Sequence, residues 1–128
     1  MSQILELADS IFAAMPDNTK KLFIALIIIV CVDYITGICA AIKEKKLSSK
    51  IGAKGIASKV TIFSLSALGA VLDHLITGGG STICSLTILF YCSNELISIC
   101  ENAQRVGLPL PPKLTELLKD FHGRHNQS

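Results

Sequence analysis

Three acidic side chains interrupt three apolar runs. Asp33 lies within LFIALIIIVCVDYITGICAAI (22–42), Asp73 within VTIFSLSALGAVLDHLIT (60–77) and Glu95 within ICSLTILFYCSNELISIC (83–100). His74 follows Asp73, and Asn94 precedes Glu95. A charge at the centre of a bilayer costs roughly 2.5–3.5 kcal/mol on insertion scales. These acids must therefore be protonated, paired with each other or with a donor, or lining a wet cavity. The chemistry open to them is helix-to-helix hydrogen bonding or a polar pore face. A helix-end carboxylate that snorkels or is capped accounts for Glu95 and Asp73 more readily than for Asp33, which is at mid-run. His74 reads as an interfacial histidine.

The sequence carries no P-loop, no GxSxG, no HExxH and no acid pair at hydrolase spacing outside those runs. It therefore predicts no enzyme and no cofactor. The five cysteines, Cys31, Cys39, Cys84, Cys92 and Cys100, form no CxxC pair and lack a histidine at metal-ligand spacing. They read as small apolar residues, with no metal site expected. Cys84, at the mouth of its run, is the one candidate for an intermolecular disulfide.

The elements that must position the acids follow from composition. Half of the 128 residues are hydrophobic and 17% are charged, against about a quarter charged in soluble domains. Mean hydropathy is +0.53. The 22–42 run would reach about 31 Å as a helix, matching a hydrocarbon core of about 30 Å. It is also too long for a signal-peptide core. The runs 60–77 and 83–100 are separated by Gly78, Gly79 and Gly80, a breaker that predicts a tight helical hairpin. The expected fold is all-α: one membrane domain over 1–128, with three transmembrane helices and short amphipathic helices at both ends.

In residues 1–16, Ile4, Leu5, Ala8, Ile11, Phe12 and Met15 recur at helical spacing. This helix should lie in the membrane interface or pack on a neighbouring subunit. Within 101–128, Pro112 is placed to open a helix, along which Leu114, Leu117, Leu118 and Phe121 form an apolar stripe. The polar GRHNQS end reads as an unstructured tail.

The segment 43–59 holds six lysines, Lys43, Lys45, Lys46, Lys50, Lys54 and Lys59, against Glu44. It reads as a basic cytoplasmic loop that sets topology and touches anionic headgroups, rather than a nucleic-acid patch. The N-terminus then lies outside and the C-terminus in the cytoplasm. Counted from the expected cytoplasmic span ends, Glu95 would sit about 7 Å deep, Asp33 about 13 Å and Asp73 about 20 Å. Staggered acids argue against a single ion-coordinating ring. Gly37 with Ala41, and Ser66 with Ala70, form small-residue pairs that permit close helix approach. A lone three-helix bundle would struggle to hide three acids and these faces, so a homo-oligomer is expected. In the assembled state the Asp33–Gly37–Ala41 side should face protein or water.

The strings DYITGICAAIKEKKLSSKIGAKGIASKV and NELISICENAQRVGLPLPPKL resemble the toxin-secretion/phage-lysis holin family over about residues 33–114. The carrying features are Asp33 with Gly37, the AIKEKKLSSKIG stretch, Asp73, and the NELISICENA block followed by GLPLP. The resemblance implies a small three-span protein that oligomerises in the bacterial cytoplasmic membrane. It implies lesions through which an endolysin or toxin leaves, with cell lysis as the result. The expected partners are copies of itself, membrane lipids and the released endolysin or toxin. Two other classes fit the residues: a small ion channel or proton-coupled transporter subunit, and a membrane adaptor without a pore.

Overall fold

A computed structural model of the chain describes residues 1–77 and 80–126, excluding the side chains of residues 77, 118 and 121–126. The turn glycines Gly78 and Gly79, tail residues 127 and 128, and the stripe side chains of Leu118 and Phe121 lie outside the described set. Five helices follow in order: α1 (Ser2–Ala14), α2 (Asp17–Lys43), α3 (Ser49–Thr77), α4 (Thr82–Val106) and α5 (Pro112–Asn126). Among the described residues there is no strand. Segments of α2, α3 and α4 (Asp17–Lys43, Ser49–Ile76 and Thr82–Val106) are long and apolar enough to cross a membrane.

Local chemistry fixes the helix ends. Pro16 adopts an extended conformation before α2, whose first turn carries Asp17 and whose last carries Lys43, each favourable to the helix dipole. α2 closes in a Schellman turn: Lys46 N donates to Ala41 O and Lys45 N to Ile42 O, with Lys45 at φ 56°. A non-glycine residue there costs about 1–2 kcal/mol. α4 closes the same way, with Gly107 at φ 104° and Leu108 N donating to Ala103 O.

Residues 49–59, assigned above to a loop, are helical in the structure. The reason lies in Ser48, whose Oγ accepts a bond of 3.2 Å from Ile51 N and so caps α3. The connection from α2 to α3 narrows to residues 44–48. α4 likewise runs on to Val106, past the expected end of the third span at Cys100. α5 opens with Pro112 in its first turn and extends through residues 123–126, which the sequence reading gave to the tail.

The core is narrow and lies where the three long helices meet: Leu26 and Val30 of α2, Ile62 and Ala70 of α3, and Cys84, Ile88 and Cys92 of α4. Outside it, Ile24, Ile28, Ile35, Leu68, Leu86 and Phe90 are exposed. Apolar residues on the outside with polar ones inside invert the soluble pattern and suit a surface in contact with lipid. α1 buries no residue fully, but Ile11 and Met15 pack against the core at the hairpin end. Lys20 Nζ sits 4.6 Å from the Phe12 ring centroid, tying α1 to the start of α2.

Candidate functional site, an ion-pair network between the spans

One cation from α3 reaches two acids, one on each of the other long helices. Lys59 Nζ donates to Asp33 Oδ2 and lies 2.7 Å from Glu95 Oε2. The side chains are 17%, 5% and 8% exposed, respectively. Asp33 and Glu95 precede the ends of their helices, Lys43 and Val106, by ten and eleven residues, so they share a level. The stagger expected from sequence does not exist for this pair, because α4 is longer than its apolar run.

The network continues toward the lysine-rich end. Asn102 Nδ2 lies 3.0 Å from Asp33 Oδ1, 3.2 Å from Asp33 O and 3.0 Å from Thr36 Oγ1. Arg105 Nη1 donates to Asn102 Oδ1 at 3.3 Å and Arg105 Nε to Glu44 Oε1 at 2.8 Å. A polar ladder thus runs from mid-span to the helix ends. The Arg105 hydrogen bond holds the exposed Glu44 carboxyl below its ordinary range. Beside it, Lys43 Nζ donates to Val106 O, a cation on the C-terminal carbonyls of α4. A cavity of about 210 Å³ adjoins the ladder, lined in part by Asp33, Tyr34, Gly55, Lys59, Asn102 and Arg105.

Asp73 has a different task. Its carboxylate accepts from Ile83 N at 2.9 Å and from Cys84 N at 2.8 Å, the second and third amides of α4. Ser81, the residue in the N-cap position, makes no side-chain cap bond, so α3 caps α4 across the hairpin. His74 is half-buried, and its Nδ1 makes no hydrogen bond within the described residues. Asn94 is half-buried and takes no part in the ladder.

The small residues serve the same interfaces. A Cβ on Gly37 would lie 3.6 Å from Asn102 Nδ2, and Ala41 is 2% exposed. The Asp33–Gly37–Ala41 side thus faces α4 and the cavity. Ser66 and Ala70 are buried, and the Ser66 carbonyl accepts from Cys84 Sγ at 3.5 Å. Gly69, not singled out by spacing, marks a close approach of two helix backbones: a Cβ there would come within 3.2 Å of Cys84 Cα.

One expectation fails, and the stated ground for another is removed. Cys84 is 1% exposed and is no candidate for an intermolecular disulfide. Asp33, Asp73 and Glu95 are 4%, 1% and 6% exposed within a single chain, so hiding the acids requires no second copy. Of the six lysines, Lys43, Lys45 and Lys46 lie at the end of α2, and Lys50 and Lys54 are exposed on α3. Lys59 is the exception, drawn into the bundle. The sequence signals that pointed to it were two unpaired acids and the Ser48 cap, which places Lys59 on a helix.

The bacteriophage holin family model matches residues 10–123. The chain is 37% identical over 101 residues to an uncharacterised 14.9 kDa protein from the nagH 3′ region of Clostridium perfringens, covering 79% of this chain and 76% of that one. It is 37% identical over 118 residues to the uncharacterised protein Lmo0128 of Listeria monocytogenes, covering 92% and 84%. A protein of Bacillus phage phi105 named a probable holin is 28% identical over 102 residues, covering 80% and 75%. No solved structure matches. The fold and the match together define an integral membrane protein with three long apolar helices. The chain belongs to the bacteriophage holin family.

Proposed function

We propose that this protein acts as a holin: it accumulates in the bacterial cytoplasmic membrane and oligomerises into lesions that release an endolysin or toxin and permit lysis. The observation that carries the reading is the ladder from Asp33, Lys59 and Glu95 through Asn102 to Arg105. A simple anchor needs no charged groups at mid-span, where they are expensive. In this reading the single chain is the closed form, with polar surface turned inward and an apolar exterior stable in lipid. Lesion formation transfers that polar surface to contacts between copies or to water. The lysine-rich end faces the cytoplasm, supported by Lys43, Lys45, Lys46, Lys50 and Lys54, which remain at or near that end.

The test is induced expression with and without a co-expressed endolysin. Abrupt lysis at a fixed delay, dependent on the endolysin, supports the reading; unbroken growth contradicts it. One observation favours a second reading, a small ion channel or proton-coupled subunit: Asp33 and Glu95 share a level, and Asp33 lines a cavity. It predicts ion-selective current at low expression without passage of protein.

A further inference from the structure

The two halves of α3 are held in different ways. From Ile62 onward it is built into the bundle, with Ile62, Ser66, Gly69, Ala70 and Asp73 all buried. There Gly69 rests against the Cys84 backbone, and Asp73 bonds two amides of α4. Before Ile62, no residue of α3 is buried. In that half two side chains bridge it to the other helices. Lys59 reaches Asp33 and Glu95, and the Tyr34 ring lies against Gly52 and Gly55, where a Cβ would come within 3.4 Å and 3.1 Å. The cavity of about 210 Å³ occupies the space beside them.

We propose that α3 is a hinged helix, fixed at the hairpin by the Asp73 cap and latched at its lysine-rich half by Lys59. Releasing Lys59 swings residues 49–61 away from α2 and α4, while residues 62–76 stay docked. The exposed seam then carries Asp33, Glu95 and Asn102, the polar surface that a lesion or a second copy would meet. The physical ground is asymmetry. Two carboxylate-to-amide hydrogen bonds and close helix packing open only with the whole hairpin. Two side chains reaching across beside a cavity can let go locally. Losing Lys59 leaves two buried carboxylates facing each other, which drives the seam toward water.

Two native cysteines report on the two ends. Cys84 (1% exposed) sits under the Asp73 cap, and Cys92 (8% exposed) lies near the latch, three residues before Glu95. The full-length protein in proteoliposomes is treated with N-ethylmaleimide, and modification is followed at each cysteine by mass spectrometry. Lys59→Met is expected to speed modification of Cys92 by about ten-fold or more while Cys84 stays within about two-fold of wild type. Lys59→Arg, which keeps the charge, is expected to restore protection of Cys92. Cys84 and Cys92 rising together, or Cys92 staying protected in Lys59→Met, overturns the hinge. The link from opening to lysis rests on the holin reading, whereas alkylation does not. Selective labelling of Cys92 with no lysis from either protein, endolysin present, therefore overturns the holin reading and leaves the hinge standing.

Discussion

Asp73 and Asp33 are both buried aspartates within membrane-spanning helices, yet their surroundings answer the same problem differently. Asp73 is satisfied by neutral donors, the amides of Ile83 and Cys84, at the start of a helix whose dipole favours an anion. Asp33 is satisfied by a charged side chain, Lys59, that it shares with Glu95, and by Asn102. The first arrangement is local: ten residues of sequence separate Asp73 from Ile83. The second joins three helices through the side chains of Lys59, Glu95 and Asn102. A backbone cap has one geometry and fixes a hairpin; an ion pair between long side chains can exchange partners. The comparison separates an acid held by the backbone of a helix start from acids held by a charged side chain of a third helix.

The comparison can be broken at either site. Lys59→Met leaves Asp33 and Glu95 without their cation and is expected to have the largest effect, about 3–5 kcal/mol lost from unfolding in a detergent titration. Asp73→Ala removes both cap bonds and is expected to cost about 2–3 kcal/mol. The signature should differ too, with Asp73→Ala exposing Cys84 to alkylation. Gly69→Ala drives a Cβ to within 3.2 Å of Cys84 Cα and is expected to cost about 1 kcal/mol.

The smallest effect belongs to Glu44 at the helix ends. Arg105 depresses its folded carboxyl pKa, so its contribution is present above the ordinary carboxylate pKa and fades as pH falls through the depressed value. Because the pair is exposed, Glu44→Gln should leave stability at neutral pH unchanged within error. Its slight effect on the acid limb of a pH-stability curve should shrink further in high salt.

Much of this architecture is legible in the sequence. The apolar runs locate all three spans, Gly78, Gly79 and Gly80 separate the second from the third in sequence, and the acids stand out because each interrupts an apolar run. What the sequence concealed is the neutralising partner. Lys59 lies just before the run 60–77, amid five other lysines, and hydropathy treats its charge as solvated. Its partners are 26 and 36 residues away in the chain, so no window brings them together. Asn102 was hidden in the same way, because it lies beyond the apolar run ending at Cys100 while α4 continues to Val106. Depths counted from apolar run ends therefore separated two acids that the helices place level. The inference from buried acids to a required oligomer failed for a related reason: it assumed that three helices could not supply enough partners.

A double-mutant cycle decides whether Lys59 and Glu95 act as one charged unit with Asp33. Unfolding free energies are measured for wild type, Lys59→Met, Glu95→Gln and the double variant in the same detergent titration. Glu95→Gln is expected to relieve part of the damage done by Lys59→Met, with a coupling of about 1–3 kcal/mol. Effects that add to within about 0.5 kcal/mol would mean that the two side chains do not interact, and the ion-pair network would be wrong.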